Sequence, residues 1–307
     1  MDWMRQWKSN FQKAGACAGF LVSGVYSLIA VAAITFYTAR LIFCIDASPM
    51  SDRNFDGIAQ RFQRNIYGNP KGQLRLAICR RELEEKLPAL FGGEPVSIWD
   101  AGGGLGQMAE VFLEQGHRLE LNDISQEMLD LAGERLSSYW RTGQLSLSHA
   151  PIQGMAAQGQ FQLVICHAVL EWVADMEQVL CHLAAGMKEG GHLSLMFYNL
   201  NALVLGNMIK GNLYKLRDED FAGHPGGLTP PSPRRPQDVE AALSAVGLEV
   251  VSRRGVRISH DLMSRQLRRE RSVDDMLEID WQYGAQEPFW ALGRYVHLLC
   301  CHKRDAV

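Results

Sequence analysis

The amino-acid sequence predicts an α/β fold built on a doubly wound, mostly parallel sheet. Three observations carry that expectation. From Met50 onward apolar strand-like runs alternate with helical patterns, a glycine-rich turn follows the first run, and an acidic residue closes the second.

Val96 to Trp99 reads as a short buried strand, ended by Asp100-Ala101-Gly102-Gly103-Gly104. Met108, Val111 and Phe112 then recur at helical spacing, with Gly116 placed to terminate the helix. Leu119 to Leu121 is the second strand, closed by Asn122 and Asp123. Ser125 is positioned to cap a helix whose apolar face is Met128, Leu129 and Ala132. Leu145 to His149 alternates as a third strand, and Phe161 to His167, nearly all apolar, reads as a central one. Met176, Val179, Leu180, Leu183 and Met187 mark one face of a helix expected to stop near Gly190-Gly191, before a fifth strand, Leu193 to Phe197.

Regularity is expected to break after Asn199. Five of the eleven prolines fall between Pro225 and Pro236, so residues of about 200–237 read as an excursion from the sheet. Leu248 to Ser252 and Tyr295 to Cys300 supply two closing strands. The arginine-rich stretch between them, about 253–290, reads as a helical cover near the strand ends. Both excursions are assigned to substrate binding.

The 307 residues carry 31 Lys and Arg against 34 Asp and Glu and are 47% apolar, which excludes a disordered chain and a generally basic nucleic-acid coat. The seven cysteines form no CxxC pair and the nine histidines no HExxH, so a reducing, cytoplasmic setting without a metal centre is expected.

Residues 1–49 stand apart as a hydrophobic extension. Ala14 to Ala39 is a run of 26 uncharged positions, about 39 Å long as a helix and enough to cross a bilayer core with tilt. Met50 offers a second N-terminus, and the chain downstream of it reads as a self-contained enzyme. The extension is therefore taken as an upstream stretch from an early start codon, the alternative being a membrane helix over 14–39 that leaves the catalytic domain in the cytoplasm. Four bases and two acids lie in 1–49, so 50–307 holds 27 bases against 32 acids, a net of −5.

Asp100-x-Gly102-x-Gly104-x-Gly106 is the most informative pattern. A dinucleotide fingerprint G-x-G-x-x-G starting at Gly102 fails because Gln107 stands in its last position. The spacing instead resembles motif I of the class I S-adenosylmethionine-dependent methyltransferases, whose fold is Rossmann-like. Glycine lets the backbone lie against a ligand without a Cβ in the way. Asp123, 21 residues beyond Gly102, is placed to accept hydrogen bonds from both hydroxyls of a ribose.

Beyond that motif the chain resembles the bacterial tRNA 5-carboxymethoxyuridine methyltransferases. The matching strings are Asp52-Arg53-Asn54-Phe55-Asp56, Asn65-Ile66-Tyr67-Gly68, Lys71-Gly72-Gln73-Leu74-Arg75, His167-Ala168-Val169-Leu170-Glu171-Trp172-Val173, Leu193-Ser194-Leu195-Met196-Phe197-Tyr198-Asn199 and Leu292-Gly293-Arg294-Tyr295. The resemblance implies a Rossmann-like class I fold with an antiparallel C-terminal strand. It implies methyl transfer from S-adenosylmethionine to the carboxylate of 5-carboxymethoxyuridine at wobble position 34, with the tRNA anticodon loop as partner. It also implies cofactor contacts by Arg75, Gly102, Gly103, Asp123, Ile152, Gln153 and His167. Arg75 can pair with the methionine carboxylate, Gln153 can reach the adenine edge, and His167 lies beside the methionine part.

A carboxylate with a solution pKa near 4 is already ionised at neutral pH, so its methylation needs no general base and no catalytic residue is assigned. The protein positions the acceptor instead. Tyr67, Tyr198, Asn199, Arg257, His260, Arg294 and Tyr295 are the candidates to hold the modified base. Between Arg234 and Arg271 nine arginines face five acids, a local net of +4. Arg234-Arg235 and Arg253-Arg254 are read there as phosphate contacts. The alternatives are methylation of a small carboxylate or quinone precursor, and a catalytically idle methyltransferase fold that serves as a binding module. The intact glycine loop, Asp123 and Arg75 argue against idleness.

If the start-codon reading holds, mass spectrometry of the native protein finds its N-terminal peptide beginning at Met50 or Ser51. A peptide mapping upstream of Met50 overturns it.

Overall fold

The structure, a computed structural model, describes residues 52–66, 69–156, 158–223 and 228–303. Segment 1–49, with the run 14–39, and Tyr67 lie outside the described residues. No described helix is long and apolar enough to cross a membrane.

After helix α1 (Ala59–Ile66) the chain enters the long helix α2 (Pro70–Lys86). Asn69 caps α2 by accepting the N–H groups of Lys71 and Gly72, and Pro70 fits the first turn because its missing N–H would have no helical partner. The sheet then begins with β1 (Ser97–Ala101), α3 (Gln107–Leu113), β2 (Arg118–Asp123), α4 (Gln126–Arg135) and the short α5 (Ser137–Arg141). Ser125 does cap α4, accepting from the Met128 N–H at 3.2 Å. β3 (Leu145–His149) and β4 (Phe161–His167) have the bounds the sequence predicts. α6 (Met176–Gly186) leads directly into β5 (Met187–Tyr198).

α6 ends four residues before Gly190. The two glycines lie inside β5, where pairing with β4 slips between Phe161 and Leu163. Gly190 sits at φ +72°, and a Cβ on Gly191 would meet the Phe161 and Lys188 carbonyl oxygens at 2.8 Å. Glycine is present for a bulge in the sheet, a role with the same sequence signature as a helix stop.

The excursion after β5 is also more regular than predicted. α7 (Leu200–Ile209) and α8 (Leu213–Arg217) precede the irregular, proline-bearing stretch, and α9 (Pro236–Ala245) ends it. β6 (Leu248–Val256), α10 (Ile258–Leu262), α11 (Arg265–Glu270), α12 (Val273–Gly284) and β7 (Tyr295–His302) complete the described chain. The strand order is β3-β2-β1-β4-β5-β7-β6, with β7 antiparallel to both of its neighbours and the other pairings parallel.

Both faces of the sheet are packed. Trp99, Val164, Leu195 and Leu298 meet Leu180 and Leu183 of α6 and Leu243 of α9 on one side. Leu121, Ile165, Met196 and Leu299 meet Ile78 and Leu83 of α2 and Phe112 of α3 on the other. Packing of α2 on this second face carries Arg75 to the strand ends.

Asn199 corrects a site assignment. It is fully buried, its amide nitrogen donates to the Ala291 and Gly293 carbonyls at 2.8 Å, and its oxygen accepts from the Asn201 N–H at 3.0 Å. It fastens the 291–293 turn to the start of α7 and has no group left for a base. Asn199→Ala leaves two buried carbonyls without partners and is expected to cost about 3 kcal/mol in urea unfolding. A loss below ~1 kcal/mol would remove Asn199 from this fastening role.

Candidate active site

β1 leaves the sheet toward one side and β4 toward the other, so a crevice opens beyond their C-terminal ends. A solvent-open cavity of about 1120 Å³ lies there. Arg75, Gly102, Gly103, Asp123, Ile152, Gln153 and His167 all line it, so the structure brings together the whole predicted cofactor set.

The loop after β1 shows why glycine is required. Gly102 sits at φ +68°, and a Cβ there would meet Val169 at 2.7 Å. Gly103 has an ordinary φ but no room, since its Cβ would lie 2.7 Å from both the Asp100 carboxyl and Leu121. The loop is tied to β2 by Asp123, whose Oδ2 accepts the Gly104 N–H at 3.0 Å and whose Oδ1 accepts the Ser125 N–H at 2.9 Å. Burial nevertheless raises Asp123 above the usual carboxylate range. Asp100 is pushed up to about 7, first by burial and then by the Asp123 charge. Two crowded carboxylates facing a cavity favour a cationic occupant.

Arg75 on α2 and His167 at the end of β4 face each other's region of the wall. Burial, with the Arg75 guanidinium adding to it, keeps His167 well below the usual imidazole range, so it is neutral. The next residue, Ala168, adopts φ +61°, one of three non-glycine residues at positive φ among the described residues. Opposite, the strip Asp52 to Asp56 covers the cavity, a role that no local sequence pattern marks. Asp52 accepts the Ala174 N–H, Asp56 accepts the Ser125 hydroxyl at 2.6 Å, and the Phe55 ring stands edge-on to Trp172 at 5.0 Å. The Arg53 guanidinium lies 5.1 Å from the Trp172 ring. Trp172 is a wall of the cavity as well.

The other candidates gather beside Arg75. Tyr295 lies 5.7 Å from both the Arg75 and Arg257 guanidinium groups and 5.4 Å from the Tyr198 ring, over which Arg294 sits at 5.3 Å. Asp261 anchors the group. Arg257 grips it through two hydrogen bonds of 2.9 Å, Arg294 approaches to 3.8 Å and His260 to 3.5 Å. Burial would raise Asp261, but the neighbouring His260 and the two guanidinium groups hold it well below the carboxylate range. Lys71 is held below its usual range by partial burial and then by repulsion from Arg257, with Arg268 and Arg294 adding to it and Asp261 opposing. Two acids, Asp261 and the buried Asp280 that accepts the Ile258 and Ser259 N–H groups, thus stand among four cationic side chains, Lys71, Arg257, Arg268 and Arg294, next to the cavity. Lys71, Asp261 and Arg268 were missed because nothing local marks them.

Of the four arginines read as phosphate contacts, two turn inward and a third, Arg253, is half-exposed but paired. Arg234 donates to the Leu170 and Val173 carbonyls, Arg253 grips Glu240 through two bonds, and Arg254 is buried against Trp281 and Glu82. Arg235 is exposed, and so are Arg265, Arg269 and Arg271 in and after α11. Arg257 is 7% exposed and His260 5%, so both support Asp261, whereas the Arg294 side chain keeps 24% exposure.

Comparison with known proteins places the chain among relatives. The methyltransferase-domain family profile matches residues 73–253. The tRNA 5-carboxymethoxyuridine methyltransferase of Escherichia coli (strain K12) is 39% identical over 255 residues, covering 81% of this chain and 96% of that protein. A ubiquinone biosynthesis O-methyltransferase of Vibrio parahaemolyticus is 32% identical over 119 residues, 38% of this chain and 48% of that protein. Among solved structures, magnesium protoporphyrin IX methyltransferase from Synechocystis PCC 6803 superposes with a TM-score of 0.56 at 14% identity, over 81% of this chain and 96% of that one. That likeness concerns the fold.

The raised Asp100 sets a pH signature. In the unfolded chain it ionises near 3.8 and in the folded protein near 7, so its contribution to stability is fullest below pH 4 and falls as pH rises toward 7. Asp100→Asn is neutral throughout. Between pH 5 and pH 8 the ligand-free variant is expected to gain about 3 kcal/mol relative to the parent in urea unfolding. A difference that stays constant over that range would contradict the assignment.

Proposed function

The chain belongs to the methyltransferase-domain family and, within it, to the tRNA 5-carboxymethoxyuridine methyltransferases; from that membership we propose that it methylates the carboxylate of 5-carboxymethoxyuridine at position 34 of tRNA, using S-adenosylmethionine. The product is the methyl ester, 5-methoxycarbonylmethoxyuridine.

The residues of the cavity suit this cofactor. S-adenosylmethionine carries an ammonium and a sulfonium, and Asp100 and Asp123 form a crowded pair of carboxylates that a cation relieves. Asp123 would hold the ribose hydroxyls, Gln153 the adenine edge and Arg75 the methionine carboxylate, with Gly102 and Gly103 leaving the backbone open to close approach. When bound, the cofactor supplies an electrophilic methyl group.

The observation that carries the acceptor assignment is the cationic group around Asp261. Lys71, Arg257, Arg268 and Arg294 outnumber Asp261 and Asp280 beside the cavity, which suits an anionic acceptor on an anionic polymer. A phenol or catechol would instead need a base to remove its proton. Arg294, partly exposed over Tyr198, is the residue assigned to orient the acceptor carboxylate. Tyr198 is pushed up to about 12 by burial and so remains a neutral donor at the same wall. Arg265, Arg269 and Arg271 take the phosphate role, with Arg235 on the other excursion. In this reading the catalytic domain spans 50–307 and works in the cytoplasm, and the two excursions, 200–237 and 253–290, frame the anticodon loop.

Nucleoside mass spectrometry of tRNA from a deletion strain is expected to show free 5-carboxymethoxyuridine in place of its methyl ester. Unchanged methyl ester would exclude the activity. With purified protein, Arg294→Ala is expected to lower kcat/KM for tRNA by about 30-fold, and Arg269→Ala with Arg271→Ala to flatten the salt dependence of KM by between one and two units of log slope. An unaltered Arg294→Ala enzyme would move the acceptor elsewhere.

A further inference from the structure

The cavity wall at His167 continues inward as a chain of buried side chains that methyl transfer itself leaves unused. His167 ends β4 opposite Met196 of β5, His297 of β7 faces Met196 from the other side, and Ser194 lies two residues before Met196 on the same face. The two imidazoles therefore converge on one hydroxyl. Ser194 Oγ lies 2.8 Å from His167 Nε2 and 2.8 Å from His297 Nε2. His297 Nδ1 lies 2.8 Å from Glu82 Oε2, brought by α2. Glu82, Ser194 and His297 are all fully buried.

Proton positions follow from which groups can only accept. Glu82 is ionised: burial would raise it, but His297, the Ser252 hydroxyl and Arg254, whose Nε is 3.3 Å away, hold it below the usual range. A carboxylate accepts only, so His297 carries a proton on Nδ1. Arg254 already balances the Glu82 charge, so charge balance in the buried set calls for no second proton. His297 Nε2 is then bare and receives the Ser194 O–H, and Ser194 Oγ in turn receives the proton-bearing Nε2–H of His167. His167 Nδ1 has no protein partner among the described residues, and the residue lines the cavity.

We propose that Glu82, His297 and Ser194 are positioning residues that hold His167 as its Nε2–H tautomer, so that a bare Nδ1 offers a hydrogen-bond acceptor to an ammonium group in the cavity. The identity of that group as the methionine ammonium rests on the S-adenosylmethionine reading; the tautomer does not. A second proton on His297 would reverse every donor in the chain and turn an N–H toward the cavity, which suits a carboxylate.

Long-range nitrogen–proton NMR of the imidazoles in the ligand-free protein reads the tautomer directly. His167 protonated at Nε2 and bare at Nδ1 is the expected result, and a protonated Nδ1 overturns the proposal. Calorimetric binding of S-adenosylhomocysteine and its deamino analogue reads the consequence. The parent protein is expected to prefer the amine by about 10-fold or more, Ser194→Ala to reduce that preference to about 3-fold or less, and Ser194→Thr to restore it. A preference unchanged in Ser194→Ala sinks the positioning role even if the variant is less stable. Should neither compound bind the parent, the cofactor reading fails while the NMR result still decides the tautomer.

Discussion

One carboxylate, Asp123, joins the loop, the sheet and the cavity. Three of the five residues from Gly102 to Gly106 adopt left-handed backbone, a conformation with little to hold it in place. Asp123 supplies the hold by taking the Gly104 N–H on one oxygen and the Ser125 N–H on the other. The first contact fixes the turn that starts α3, and the second fixes the turn that starts α4. The same closure presses Asp123 toward Asp100, so a loop locked for geometry also acquires its electrostatic preference. Pre-organisation and charge selection here have a common source.

The second half of the site is tied to the first by α2 and β7. Arg75 and Arg257 address the same Tyr295 ring from different elements, so the cavity wall and the cluster around Asp261 share one aromatic contact. The whole of 50–307 is acidic, yet cations collect around that buried ring. On the proposed function, that distribution would repel a negative polymer from most of the surface and admit it at one place.

How much of this was legible in the sequence depends on the range of the interaction. β3 and β4 were readable to the residue because an alternating run and an apolar run are bounded by polar or glycine neighbours. That Gly102, Gly103, Asp123, Ile152, Gln153 and His167 would share one cavity was readable because they follow strands in a fixed order, whereas Arg75 reaches it from a helix. Gly190-Gly191 misled because a bulge and a helix stop demand the same residue. Arginines misled for a related reason: Arg234, facing two carbonyls, and Arg269, facing water, look alike as letters. Contacts such as Glu82 with His297, 215 residues apart, leave no local pattern at all.

The reversed direction of β7 has a practical side. Because it runs against its neighbours, it enters the sheet at the substrate end with Tyr295 and leaves at the opposite end, where His302 pairs with Leu248 and Cys301 with His192. Lys303 therefore lies on the side remote from the cavity mouth. A fluorophore or a surface tether placed on Lys303 leaves that mouth unobstructed, whereas one placed on Arg53 sits in the strip that covers the cavity.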